Sequence, residues 1–220
     1  TAGIGAGIMV IGALAADASA RDDRYSYYGI ALDGAGKPLP VQHTDHGFVL
    51  AFTEPSDEYL IRAATTLARA FPAGLVSPVG VLVASPALAP ADYSVVDPKD
   101  PTSADDDERV LLRDVLTPAD YHGTVVWSWQ QALLASGLRR QLERAELSAA
   151  ARDALSALEC ELWRVIEATK SVRSAELWSY RPGADGQPEY RAFGDTQSDA
   201  DESNAIATGY LSATSINPAA

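Results

Sequence analysis

Two long helical patterns separated by one short break, between Thr124 and Ile166, limit the fold of this chain more firmly than any other feature. The first runs from about Thr124 to Ala145. It is uncharged as far as Leu138 and then turns into "RRQLERAE", the pattern of a helix buried for most of its length that emerges at its C-terminal end. The second starts at the N-cap Ser148. It sets Ala151, Leu155, Leu158, Leu162, Val165 and Ile166 on one stripe, with Arg152, Asp153, Glu159, Arg164 and Glu167 elsewhere. One helix is interior and the other covers it, and so short a connection makes them antiparallel neighbours in an αα-hairpin.

The rest of the chain is read around this unit. In "TEPSDEYLIRAATTLARAFPAG", Ser56 is an N-cap with Asp57 and Glu58 in the first turn, favourable against the helix dipole. Leu60, Ala64, Leu67, Ala68 and Phe71 then carry an amphipathic helix as far as Pro72 and Gly74. Residues 25–42 read as a small hairpin or loop turning at "DGAGKP", and "LVSPVGVLVAS" as either a short strand or an irregular buried connection. Residues 86–120 read as a long surface loop, and 176–194 as a turn-rich aromatic loop before a last helix near Asp201. The expected fold is therefore all-α: one helical domain over 1–220, built from αα-hairpins with long loops and at most short strands.

Composition narrows the partners. A net charge of −13, with 17 Lys and Arg in all, excludes a partner held by phosphate neutralisation, so neither nucleic acid nor an anionic membrane surface is expected. The apolar run from Gly3 to Ala16 is 14 residues, short of the roughly 20 that span a bilayer, and reads as a buried glycine-rich helix. Its glycines are not spaced as a dinucleotide fingerprint, and no cofactor is expected. The absent initial methionine points to a fragment or a processed chain. Cys160, the one cysteine, sits in a helical pattern and is expected to be a packed structural thiol.

The residues able to carry chemistry gather at the head of the first long helix. His122, Trp127, Trp129, Gln130 and Gln131 combine aromatic faces with neutral hydrogen-bonding groups, which suits a sugar; alternatively the tryptophans fill core and His122 caps a loop. Glu176, in "SAELWSYRPGADG", stands where Trp178 and Tyr180 would flank and partly desolvate a carboxylate, as a general base requires. Glycoside hydrolysis needs a second carboxyl group, for which Asp45, Asp195, Asp201 and Glu202 are the candidates, each equally able to serve as a helix cap. His43, Asp45 and His46 in "QHTDHG" lack a second ligand cluster, so no metal is expected, and no serine lies in a G-x-S-x-G elbow.

In order along the chain, "VQHTDHGFVLAF", "FPAGLVSPVGVLVASPAL", "YHGTVVWSWQQALLASGL", "AELWSYRPGADG" and "DESNAI" resemble the C-terminal part of the six-hairpin, (α/α)6 toroid glycosidases, which include trehalase-like, glucosidase-like and glycogen-debranching-like enzymes. The resemblance spans about residues 40–206. It implies a glycoside hydrolase that inverts, with Glu176 as catalytic base, His122, Trp127, Trp129, Gln130, Trp178 and Asp45 lining the substrate cleft, and an oligosaccharide or glycoside as substrate. His122, Gly123 and Thr124 stand where relatives often carry Arg-Gly-Pro, and "ATGYLSA" replaces a Gln-Leu-Trp continuation. The family's general acid belongs to an earlier helix, so an N-terminal portion or partner chain would complete the toroid. The alternatives are a noncatalytic carbohydrate-binding or scaffold fragment, and an all-α partner-binding domain unrelated to sugars.

Overall fold

The computed structural model describes residues 27, 29, 31–32, 36–96 and 109–194. The glycine-rich helix expected at 3–16, the last helix near Asp201, and the candidates Asp195, Asp201 and Glu202 lie outside the described residues.

The elements run β1 (Gln42–His43), α1 (His46–Phe52), α2 (Asp57–Leu67), β2 (Val76–Ser77), β3 (Gly80–Val81), β4 (Ala84–Ser85), β5 (Ser94–Val96), β6 (Arg109–Leu111), α3 (Leu112–Val115), β7 (Val126–Trp127), α4 (Ser128–Leu142), α5 (Ala149–Ala168), β8 (Leu177–Pro182) and β9 (Pro188–Ala192). The all-α expectation is overturned. Among the described residues, five helices share the molecule with four small antiparallel sheets, ordered β1-β4, β2-β3, β5-β6 and β7-β8-β9. The αα-hairpin of α4 and α5 is present, but in a mixed helix and sheet fold, not as part of an all-helical toroid. The strands escaped the sequence reading because most are two or three residues long, too short for alternation to register. The stretch read as an aromatic loop after Glu176 is the hairpin β8-β9, in register from Trp178 opposite Ala192 to Pro182 opposite Pro188. Inside 86–120, β5 pairs with β6 and the single turn α3 follows.

The helical readings fare better because their caps are local. Ser56 accepts the Tyr59 N–H at 3.3 Å and Ser148 accepts the Ala151 N–H at 3.2 Å, starting α2 and α5 where the sequence places them. α4 ends three residues earlier than its sequence pattern and starts four residues later, its start set by the pairing of Val126 and Trp127 with β8. Asp57 reaches across to the Ser148 N–H at 2.8 Å and joins the starts of the two outer helices.

α1 and α4 are the inner pair and run parallel. Gly47 lies against Leu134, while a Cβ added at Gly137 would sit 2.7 Å from Leu50 Cβ and 3.0 Å from the Ala51 nitrogen. Glycine is required there because the two backbones nearly touch. Farther along, Gln141 Nε2 donates to the carbonyls of Leu50 at 2.5 Å and Thr53 at 3.0 Å, Arg140 donates to the Thr53 carbonyl, and Arg144 donates to that of Pro55 at 2.9 Å. Side chains on and just after α4 thus satisfy carbonyls at and just beyond the C-terminal end of α1. Leu50, Leu60, Leu67, Leu134, Leu138, Leu155, Leu158 and Leu162 fill the space between inner and outer helices, each almost fully buried. At about 1.5–3 kcal/mol for each buried leucine, this layer supplies the main driving force for assembly.

Candidate functional site

The N-terminal ends of α1 and α4 lie together, and the sequence candidates converge there from three segments. The first is the loop entering β7. The Asp120 carboxylate accepts the Thr117 N–H at 3.1 Å and the Thr117 hydroxyl at 2.6 Å, and Gly123 N–H donates to the Asp120 carbonyl at 2.8 Å. A Cβ at Gly123 would meet the Thr117 carbonyl oxygen at 2.0 Å, so only glycine lets the loop fold back on itself. The folded loop holds Tyr121 and His122 outward, both exposed.

The second segment is the entry to α4. Trp127 donates its Nε1–H to the Tyr121 carbonyl at 3.2 Å, and its ring packs on Tyr121 at 4.9 Å, His122 at 5.4 Å and Trp129 at 5.6 Å between centroids. Phe193, just beyond β9, adds an edge to Tyr121 at 5.9 Å. Ser128 donates its N–H, at 2.9 Å, and its hydroxyl, at 3.1 Å, to the carbonyl of Glu176. This fixes the residue before β8 against the first turn of α4. The Glu176 carboxylate then accepts the Tyr121 hydroxyl at 2.6 Å. A half-buried carboxylate is thereby set beside Tyr121, His122 and Trp127.

The third segment is "QHTDH" before and into α1. Gln130 donates to Asp45 Oδ1 at 3.3 Å and accepts the Thr44 hydroxyl, which ties Asp45 to the head of α4. His43 Nδ1 lies 3.4 Å from the other carboxylate oxygen of Asp45 and accepts the Asp45 N–H at 3.2 Å. Burial alone would raise the Asp45 carboxyl, but His43, with help from Gln130 and His46, outweighs it and holds the group below the usual carboxylate range. His46 stacks on His43 with centroids 5.4 Å apart and meets the Tyr59 hydroxyl through Nδ1 at 2.8 Å. Burial, reinforced by His43 and opposed by Asp45, pushes the His46 imidazole down to about 3, so the ring is neutral near pH 7.

Of the predicted set, the structure gathers Glu176, His122 and Trp127 around Tyr121, and Trp129, Gln130 and Asp45 along the adjoining heads of α4 and α1. Trp178 does not belong there. It is fully buried in the main core and donates its Nε1–H to the Val79 carbonyl at 2.6 Å, because pairing with Val126 turns it inward. It therefore neither lines a cleft nor flanks the carboxylate. Tyr180 packs on Phe71 and lies 3.4 Å from the Thr124 hydroxyl, while Gln131 is spent on the Val81 N–H at 3.0 Å. Cys160 is exposed, not packed. Tyr121 was missed although it opens the stretch containing His122 and Trp127; its hydroxyl, two residues from a glycine-locked turn, was the available signal. Among the described residues, no group of three His, Cys, Asp or Glu side chains is placed to hold a metal ion, and no helix is long and apolar enough to cross a membrane.

Comparison with known proteins finds no matching family model, curated protein or solved structure. The functional reading therefore rests on the site itself and on the resemblance of its motifs.

Proposed function

We propose that the joined heads of α1 and α4 bind a carbohydrate and that the chain acts on a glycosidic bond, with Glu176 as the base that activates water. One observation carries this reading: a carboxylate fixed by its own backbone to the start of α4 and hydrogen-bonded by Tyr121, within a cluster of partly exposed aromatic rings. Aromatic faces offer the apolar side of a pyranose a surface, and the carboxylates and Gln130 offer partners for its hydroxyls. In inverting hydrolysis one carboxyl group protonates the leaving oxygen while a carboxylate on the opposite face takes a proton from the attacking water. Asp45 is held ionised, which suits it to accept sugar hydroxyls and not to donate the proton. The general acid is not assigned to a described residue.

The test is hydrolysis of a panel of α-linked disaccharides and aryl glycosides by the native chain and by Glu176→Gln, with binding followed by calorimetry. The expected result is turnover by the native chain that falls at least about a hundredfold in Glu176→Gln while folding and sugar binding persist. Turnover unchanged by the substitution would refute the assignment of the base.

A second reading, noncatalytic carbohydrate binding, is favoured by one observation. Burial raises the carboxyl of Glu159, as a general acid's would be, but this residue lies on α5 beside Arg139, toward the end of α4 away from the joined heads. Binding without turnover in either protein would decide for that reading.

A further inference from the structure

The aromatic rings at the joined heads of α1 and α4 continue well past Glu176. Tyr121, which donates to that carboxylate, meets Trp127 at 4.9 Å between centroids, and Trp127 meets Trp129 at 5.6 Å. Trp129 in turn meets Phe48 at 6.0 Å, and Phe48 meets Phe52 at 6.2 Å. Phe48 and Phe52 stand one turn apart on α1, so the row leaves the heads and follows the flank of α1 toward its C-terminal end. It is open along its length. Tyr121, Phe48 and Phe52 are 38%, 42% and 68% exposed, and both tryptophans are only partly buried. A contiguous line of exposed rings is the mark of a surface that something covers.

The width and the charge of the row select what covers it. Phe48, Phe52 and the partly covered Trp129 leave on the order of 300 Å² of ring surface open, whereas a stable protein interface takes about 800 Å² from each side. Beyond Trp127 the rings stand in single file, which suits a narrow chain of units that each present one apolar face. Linked pyranoses are such a chain, and the steps between rings match the length of one sugar unit. The row has more steps than a disaccharide has units. Three carboxylates accompany it: Glu176 at the inner end, Asp45 at the head of α4, and Glu54 just beyond Phe52. With a net charge of −13 on the whole chain, that field repels uronates and sulfated sugars and favours neutral units. At the outer end, the ion pair of Arg140 and Glu54, 3.6 Å apart, offers donors and acceptors for hydroxyl groups.

We propose, resting on the carbohydrate reading of the Glu176 end, that the ligand is a chain of several neutral sugar units. Its successive units lie over Trp127, Trp129, Phe48 and Phe52, and it leaves the protein beside Arg140 and Glu54.

The probes are linear glucose and mannose oligomers, α- and β-linked, as the disaccharide and the hexasaccharide of each linkage, with an oligogalacturonate hexamer as the charged control. Binding is followed by calorimetry in the full chain carrying Glu176→Gln, so that the sugars are not cleaved. The expected result is a neutral hexasaccharide that binds about tenfold or more tighter than its own disaccharide, with most of that gain lost in Phe52→Ala and kept in Phe52→Tyr, which retains the ring. Phe52 projects into solvent, so neither substitution disturbs the core. A hexasaccharide no tighter than its disaccharide, or a gain that survives Phe48→Ala/Phe52→Ala, would overturn the extended row and leave the sugar site at Glu176 standing. Binding of no oligomer of either length would overturn both. An equal gain for the oligogalacturonate would overturn the neutral chain. Self-association in sedimentation that Phe52→Asp abolishes would overturn it equally, since the row would then be an interface between copies.

Discussion

The carbonyl oxygen of Glu176 accepts both the N–H and the hydroxyl of Ser128, at 2.9 and 3.1 Å, so the residue proposed to activate water is held by backbone to the first turn of α4. Ser128 is fully buried. Ser128→Ala leaves the N–H bond in place and removes the hydroxyl, so the expected loss is about 1 kcal/mol in unfolding free energy. Urea denaturation measures it. A stability equal to the native chain's would show that the hydroxyl contributes nothing to the clamp.

Tyr121→Phe keeps the ring that contacts His122, Trp127 and Phe193 and removes only the donor to Glu176. A hydrogen bond to a charged group contributes about 1.5–3 kcal/mol, so turnover is expected to fall tenfold or more while sugar affinity stays within about twofold. Tyr121→Ala, which also removes the ring, is expected to weaken affinity as well. Equal effects of both variants on affinity alone would contradict this division of labour.

Gly137→Ala sets two effects against each other. Alanine favours a helix by about 1 kcal/mol, but its Cβ would lie 2.7 Å from Leu50 Cβ and 3.0 Å from a backbone nitrogen, neither of which can swing away. Overpacking of this kind costs about 1–3 kcal/mol or more, so net destabilisation is expected, by separation of α1 from α4. A rise in the thermal midpoint would mean that the helices are not so tightly apposed.

Acid should unfold the protein early. His46 is neutral in the folded state down to about pH 3, whereas an unfolded histidine titrates near 6.5. Between these values the unfolded chain binds the extra proton, so stability rises with pH through this window, and it is lost as pH falls from about 6.5 toward 3. Asp45, held below the usual carboxylate range by His43, adds a further loss at the acid end of that range. Urea midpoints between pH 8 and pH 4 should decline less steeply in His46→Gln than in the native chain. Parallel slopes would exclude His46 as the source.

What was legible in the sequence was what neighbours in sequence determine. Ser56 and Ser148 cap helices through bonds three residues long, and the stripe from Ala151 to Ile166 needs only its own spacing, so α2 and α5 could be read directly. Trp178 could not. Its burial depends on pairing with Val126, 52 residues earlier, and on the Val79 carbonyl 99 residues away, and neither leaves a local trace. The same holds for the short strands and for Tyr121, whose partner Glu176 is 55 residues distant. Cys160 lies between stripe positions Leu158 and Leu162, where a helical repeat alone does not fix how far a side chain is covered. Glu176, Trp127 and His122 could be singled out as candidates because they lie within two short motifs, and the structure gathers them around Tyr121.

The carbonyls at and just beyond the end of α1 are satisfied by side chains on and just after α4, 87 to 91 residues later in the chain. Drawing such distant segments together requires closing a long loop before any contact repays the loss of freedom, the circumstance that slows folding. During synthesis, α1 therefore emerges without the groups that complete it and cannot be finished until Arg144 has left the ribosome. An N-terminal piece that ends before α4 is left with open carbonyls at Leu50, Thr53 and Pro55, and with an inner helix that has nothing to lean on.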